Sequence, residues 1–323
     1  MPIKVDKVSS NSKKVIVFGG SGFLGSHVAD ALTDAGHQVA IYDLRPSPYL
    51  LTGQKMIVGD ILDREQVSKA VEGYDYVYNF AGFVDLDDAA TKPLDTAQLN
   101  IIGNLHIMDA AFKANVQRFI YASTIYVYSE KGGFYRCSKQ SSELYIEEYN
   151  RLHGLNYTIL RYSTLYGPRA DKRNSIYRYL KQALDTSCID CSGTGDEVRD
   201  YIHVKDAALL SIQILSDQFK NKPVVISGHH PTKFKDMVAM IKEIVGKDIK
   251  ISYQSRKDSA HYTHTPYSFS PRVGYKLTNN LYIDMGQGLL ECLHEINDDF
   301  GKSDKGSVGE IHEINVKGAE GSF

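Results

Sequence analysis

Tyr135 and Lys139 stand four residues apart in "FYRCSKQSSELY", a spacing that puts both side chains on one face of a helix. An ammonium beside a phenol favours the phenolate, so the pair predicts a tyrosine with a lowered pKa that can take or return the proton of a hydroxyl. Thr124, upstream in "YASTIYVY", closes an apolar strand-like run and offers a hydroxyl to orient the reacting oxygen. The same Tyr and Lys spacing is common in surface pairs, so its meaning depends on the elements around it.

Those elements begin at "KKVIVFGGSGFLGSH", where an apolar run meets Gly19, Gly22 and Gly25 and then a helical pattern. The spacing G-x-x-G-x-x-G is a relative of the dinucleotide fingerprint. Its glycines allow a tight turn and a close backbone approach to a pyrophosphate held at a helix N-terminus. A proton-accepting tyrosine beside such a cofactor suits hydride chemistry, in which a nicotinamide carries the hydride. Asp43, at the end of "VAIYD", falls about twenty residues beyond the turn, where a carboxylate binds the adenosine ribose and repels the extra phosphate of NADP. Arg45 weakens that inference slightly, and NAD is the expected cofactor. "VGDI" puts Asp60 and Ile61 at the next strand end, and "NFAG" puts Phe80, Ala81 and Gly82 at the one after.

Strand-like runs read at 15–18, 38–42, 55–58, 76–80, 118–122 and 157–160, with helical patterns at 23–35, 64–71, 99–113 and 138–153 between them. Such alternation predicts an α/β fold, a Rossmann-type doubly wound parallel sheet with helices on both faces. From about Tyr166 the pattern loosens into a smaller C-terminal substrate lobe with helices near 205–216 and 234–245. The expected organisation is an N-terminal extension (1–12), a Rossmann NAD-binding domain (13–165), a substrate lobe (166–300) and a polar, Gly-rich tail (301–323).

The 323 residues are 42% hydrophobic and 24% charged, with a net charge of -2, an ordinary balance for a soluble globular chain. Nothing in it points to nucleic acid or to a membrane surface as partner. No apolar run is long enough to span a bilayer and the first residues lack a hydrophobic signal core, so a cytoplasmic location is expected. Cys188 and Cys191 form C-x-x-C without a second ligand pair, in a strand-like stretch that sends them to opposite faces. No metal is expected.

Taken together, GGSGFLG, VGDI, NFAG, NIIGNLHIMDAA, ASTIYVY, YRCSK, LRYSTLYGPR and GTGDEVRDYIHVKDAA resemble the extended short-chain dehydrogenase/reductases of the NAD-dependent epimerase/dehydratase family, in the family's order and over roughly residues 14–296. The resemblance implies a substrate that is a nucleoside-diphosphate sugar. It carries the catalytic hydroxyl onto Thr124, the acid/base onto Tyr135 and the cofactor-ribose lysine onto Lys139. Cofactor contacts then fall on Gly19, Gly22, Phe23, Leu24, Gly25, Asp43, Asp60, Ile61, Phe80, Ala81, Gly82, Tyr135 and Lys139. Substrate contacts fall on Thr124, Thr164, Arg199 and Arg272, with Arg199 gripping the diphosphate. An ion pair of Arg199 with Asp200 or Asp206 is the structural alternative.

The implied reaction oxidises a sugar hydroxyl, at C4, to a keto intermediate, and the expected net outcome is 4-epimerisation. A net 4-dehydrogenase that releases the keto sugar is the alternative, with reduction of a non-sugar carbonyl further behind. A cofactor sensor without catalysis is a third class, against which the intact Thr-Tyr-Lys set argues. The resemblance also implies a homodimer packed through the helices at 99–113 and 138–153. The chain departs from the family pattern in four places. Ile125 and Tyr126 replace the Asp-Glu pair of the 4,6-dehydratases, so dehydration is not expected. Only "SEKGGF" separates Tyr128 from Tyr135, a short loop that implies a wider sugar pocket. Ser163 and Thr164 stand where the family has Phe-Asn, and the stretch around Ser268 and Ser270 lacks its usual aspartate. His203 reads as structural, while His261 and His264 are candidates for the substrate side of the second lobe.

Overall fold

The computed structural model describes residues 12–246, 248–254, 261–266, 275–278 and 282–306. Arg272, Ser268 and Ser270 lie outside the described residues. Six strands follow the apolar runs of the first half: β1 (Lys14–Phe18), β2 (Gln38–Asp43), β3 (Lys55–Val58), β4 (Tyr76–Asn79), β5 (Arg118–Thr124) and β6 (Tyr157–Tyr162). The later chain adds β7 (Thr164–Tyr166), β8 (Cys188–Ser192), β9 (Val198–His203), β10 (Lys222–Ile226), β11 (Pro231–Lys233), β12 (Lys250–Gln254) and β13 (Tyr275–Leu277).

Eight of these form one sheet in the order β13-β10-β6-β5-β4-β1-β2-β3, with every neighbouring pair parallel. The order reverses direction between β1 and β4, which opens a crevice beyond their carboxyl ends. Burial on both faces explains why β1 reads as a continuous apolar run. Val15 and Val17 join one core layer, while Ile16 and Phe18 join the other. Helices α1 (Phe23–Asp34) and α8 (Val204–Gln213) cover the first face, where Val28, Leu32 and Leu210 are fully buried. The second face is covered by α2 (Arg64–Val71), α5 (Asn104–Lys113) and α6 (Gly133–His153), through Val67, Ile107, Met108 and Ile146. Each such aliphatic side chain contributes roughly 1.5–3 kcal/mol of transfer free energy.

The second lobe is built on α7 (Ser175–Thr186), α9 (Phe234–Val245) and α10 (Met285–Gly306), around Ile176, Leu180, Met237, Ile241 and Leu289. Two small sheets complete it, β11-β9-β7 and β12-β8. The chain does not stay in this lobe, because β10, β13 and α8 return to the large sheet.

Three elements differ from the sequence expectation. Two short helices, α3 (Leu86–Thr91) and α4 (Pro93–Ala97), precede the 99–113 helix, and its first part is a π-helical turn over Gln98–Gly103. Helix α6 starts at Gly133 rather than Ser138, because Gly132 takes the left-handed conformation (φ 94°) that launches the chain into it. The polar stretch expected as a tail from 301 begins inside α10, which runs to Gly306. Residues 307–323 lie outside the described part.

Candidate active site

The turn after β1 is built for close approach. Gly19 has φ +74°, and a Cβ there would sit 2.5 Å from the Ala81 nitrogen in the loop after β4. A Cβ on Gly25 would meet the Gly19 carbonyl oxygen at 2.2 Å. These two glycines therefore lock the β1–α1 turn against the crevice at the reversal of strand order. Gly22 is the N-cap of α1 and supplies no side-chain cap, so the first-turn N–H groups remain available to an anion. By contrast, α2, α3 and α7 are capped by Asp63, Asp85 and Asn174.

Asp43 closes β2 beside this turn, where its carboxylate accepts from the Ser21 N–H at 3.0 Å. Asp60 is exposed beyond β3 and accepts the Leu62 N–H at 2.9 Å. Phe23 and Leu24 are half-buried on the first turn of α1. Ile61 is a packing residue, buried against Gly103, where an added Cβ would fall 2.6 Å from its Cδ1. This crevice fits a dinucleotide: glycine backbone toward a pyrophosphate, an uncapped helix end, and a carboxylate where a ribose would lie.

Asn100 holds the Phe80–Gly82 loop in place, a role sequence reading did not assign. Its side-chain oxygen accepts the Phe83 N–H at 2.6 Å, and its amide donates to the Phe83 carbonyl and to Ser138 Oγ, both at 2.9 Å. The π-helical turn positions this side chain, a common use of such turns at functional sites. The signal was present in "NIIGN", but nothing local distinguishes a π turn from an α turn.

Thr124, Tyr135 and Lys139 come together at the carboxyl end of β5. Thr124 is its last residue, and Tyr135 and Lys139 lie on successive turns of α6. The Thr124 hydroxyl lies near enough to the Tyr135 phenol to pull its pKa down in part. Lys139 is 4% exposed and donates from Nζ to the Ala122 carbonyl at 2.8 Å. Its ammonium lies 4.8 Å from the Tyr121 ring centroid and 5.8 Å from that of Tyr135.

The electrostatics correct one expectation. Burial pushes the Tyr135 phenol up to about 12, and the Thr124 hydrogen bond offsets only part of this. Burial also brings Lys139 down to about 8, against the opposing charge of Glu143. The loss of hydration therefore outweighs the Thr124 hydrogen bond, and the phenol is favoured over the phenolate.

Beneath these groups lies a buried charged network with no counterpart in the sequence reading. Arg161 on β6 forks onto Glu143 on α6, with Nη2 to Oε2 at 2.6 Å and Nε to Oε1 at 3.1 Å. Ser123, next to Thr124, donates to the same carboxylate at 2.5 Å. Arg161 also donates to the Tyr128 hydroxyl and stacks on that ring at 4.7 Å.

On the second-lobe side, of the two ion-pair partners that sequence left open for Arg199, Asp200 and Asp206, Asp206 does not take that role. Arg199 donates to the Tyr262 carbonyl at 2.7 Å and its guanidinium lies 4.6 Å from the Tyr262 ring centroid, while Asp206 accepts the Ile283 N–H. Thr164 reaches the Tyr262 hydroxyl at 3.4 Å. Tyr126 packs on Tyr262 at 4.8 Å and edge-on to Tyr135 at 6.5 Å, and its hydroxyl meets His261 Nδ1 at 2.7 Å. His264 is exposed and bridges Val198 through the backbone. His203 is the N-cap of α8. Cys188 is half-buried and Cys191 buried, and no group of three or more metal-ligating side chains occurs among the described residues. No helix among them is long and apolar enough to cross a membrane.

Comparison with known proteins adds to this geometry. The sequence matches the NAD dependent epimerase/dehydratase family over residues 15–227. A putative UDP-glucose 4-epimerase of Methanocaldococcus jannaschii is 27% identical over 274 residues, 77% of this chain and 88% of the relative. A UDP-N-acetyl-alpha-D-glucosaminuronate decarboxylase of Bacillus cytotoxicus is 28% identical, over 74% of this chain and 82% of the relative. Among solved structures, the UDP-glucose 4-epimerase of Thermotoga maritima with UDP-glucose has a TM-score of 0.78 and 25% identity, covering 89% of this chain and 99% of that one.

Proposed function

The chain belongs to the NAD-dependent epimerase/dehydratase family, and from that premise we propose that it is a nucleotide-sugar 4-epimerase. NAD is its cofactor and supplies hydride acceptance and return when bound. Gly19, Gly22, Gly25 and the first turn of α1 would hold its pyrophosphate, Asp43 its adenosine ribose, and Lys139 the nicotinamide-side ribose. The observation that carries the reading is the meeting of Thr124, Tyr135 and Lys139 at one strand end beside the crevice, with Arg199 facing them from the second lobe.

Tyr135 is the acid/base for the sugar C4 hydroxyl, and Thr124 orients that oxygen. Lys139 supports the charge that develops on the phenol as it gives up its proton. A buried phenol near 12 needs such support, and a cationic neighbour of high local potential provides it. Arg199 anchors the diphosphate with its fork, pre-set by the Tyr262 carbonyl and ring. Thr164 contacts the nucleotide portion. Arg272, outside the described residues, is proposed for the same diphosphate.

Incubation with UDP-glucose, UDP-N-acetylglucosamine and UDP-glucuronic acid, followed by chromatography and mass spectrometry, tests the reading. A product of unchanged mass and altered retention is expected, and Tyr135→Phe should slow its formation by about 10²–10⁴-fold. Loss of two hydrogens, of water or of carbon dioxide would replace epimerisation by dehydrogenation, dehydration or decarboxylation.

We also propose a homodimer. Ile102 in the π turn, with Leu144, Tyr145 and Leu152 on α6, leaves large apolar side chains exposed, and Leu152 is 58% accessible. Grouped apolar exposure on one helix face suits a partner surface.

A further inference from the structure

We infer that Tyr126 and His261 form a second proton-transfer pair in the cleft, which exchanges hydrogen at the carbon next to the one that Tyr135 serves. The inference rests on the reading that a sugar hydroxyl is oxidised to a ketone at Tyr135. A ketone acidifies the C–H bonds on its adjacent carbons, because the resulting electron pair delocalises onto oxygen. Any acid–base group within reach of such a carbon then has chemistry available to it.

Tyr126 is placed for this. Its ring is an edge-on neighbour of the Tyr135 ring at 6.5 Å and also packs on Tyr262, on which Arg199 stacks. Its hydroxyl and His261 Nδ1 are 2.7 Å apart, with His261 exposed at the rim. The two residues lie 135 positions apart, Tyr126 two residues beyond Thr124 and His261 next to Tyr262, so the fold alone brings them together. Burial, followed by Tyr262, pushes the Tyr126 phenol well above its ordinary range, with Arg199 opposing and Tyr135 and Asp87 adding to the rise. In the proposed pair the neutral phenol donates this hydrogen bond and His261, as the Nε2–H tautomer, accepts it.

The step balances without a further reagent. The C–H bond beside the ketone breaks and its proton goes to the Tyr126 oxygen as the Tyr126 proton passes to His261 Nδ1. The electron pair stays on the sugar as an enolate whose oxygen is held by Tyr135 and Thr124. His261, now an imidazolium open to water, exchanges its proton with solvent, and the reverse transfer returns a solvent hydrogen to carbon. Hydride return alone leaves these carbons untouched, so the pair adds an activity to 4-epimerisation: exchange, and inversion where the proton returns to the other face.

The test runs the protein in D2O with UDP-glucose, UDP-N-acetylglucosamine and UDP-glucuronic acid. Reduced cofactor is read by absorbance, and deuterium at each ring carbon by NMR of the recovered nucleotide sugar. Deuterium next to C4 is expected, and the ratio of deuterium gained to cofactor reduced should fall at least about 100-fold in Tyr126→Phe. His261→Ala, which removes the proton acceptor, should lower the same ratio while cofactor reduction persists. Cofactor reduction without deuterium, or a ratio that Tyr126→Phe leaves unchanged, overturns the pair while leaving the oxidation intact. The absence of both an epimer and reduced cofactor with all three sugars overturns the reading at Tyr135, and the inference with it.

Discussion

Lys139 gives the most quantitative handle on the site. It is 4% exposed and its pKa is brought from 10.5 down to about 8 by burial, with Glu143 opposing. The folded protein therefore binds fewer protons than the unfolded chain between those two values, so stability must rise with pH across that window. The shift converts to about 3 kcal/mol, the cost of keeping a buried ammonium below pH 8 that disappears as the group is neutral in both states above 10.5. Equilibrium urea unfolding at intervals from pH 7 to 10 would compare the parent with Lys139→Met, which keeps the length and loses the charge. The difference in unfolding free energy between them should grow by about 3 kcal/mol in favour of the parent over the window. The tyrosines raised by burial lose stability above pH 10, but they do so in both proteins and cancel in the difference. Parallel pH curves would show that Lys139 is hydrated or paired in a way that the burial argument does not contain. Glu143→Gln refines the test: its charge lifts Lys139, so removing it should move the lower edge of the window toward acid.

Three further outcomes follow from the geometry. Gly19→Ala forces a Cβ to within 2.5 Å of the Ala81 nitrogen at φ +74°, so it should lower stability by about 1–3 kcal/mol and weaken NAD retention, read by calorimetry and by bound-cofactor absorbance. Asp43→Asn removes the carboxylate beside Ser21 and should cut the preference for NAD over NADP by about tenfold, roughly 1.4 kcal/mol, in a cofactor titration. Leu144→Glu combined with Leu152→Glu places charge on the exposed α6 face and should convert the proposed dimer to monomer by light scattering, whereas an unchanged mass would remove that face from the interface.

The parts legible in the sequence were those written in local patterns. The glycine spacing, the continuous apolar run of β1 and the four-residue step from Tyr135 to Lys139 each need only a few neighbouring residues. The strand ends carrying Asp43, Phe80 and Thr124 followed from where apolar runs stop. What sequence could not supply was depth. The lysine's charge was visible and its pull on Tyr135 was predicted, but the desolvation that raises the phenol instead belongs to the packed fold. Long-range partners were hidden for the same reason: Glu143 and Arg161 are 18 residues apart, Tyr126 and His261 are 135 apart, and neither pair has a spacing rule. The π turn at Gln98–Gly103 was read as plain helix because its composition is that of one.

The hidden contacts share a direction. Glu143 receives Ser123 from β5 and Arg161 from β6 while sitting one helical turn beyond Lys139. Arg161 in turn holds Tyr128, at the start of the short loop that leads to Tyr135. A carboxylate that satisfies a hydroxyl and a forked guanidinium is costly to leave half-made in a dry interior, so the three elements are tied to one geometry. The catalytic trio therefore stands on a rigid base of strand ends and one helix. The residues around it, Tyr126, Tyr262, Arg199 and His261, are held by stacking and by single hydrogen bonds. In the proposed reaction, oxidation at C4 rests on the rigid set, and the choice of sugar and the proposed second proton step rest on the stacked one. Substitutions in Glu143 or Arg161 should thus reduce turnover with every sugar alike, whereas substitutions in Tyr126 or Tyr262 should change which sugar, and which carbon, is served.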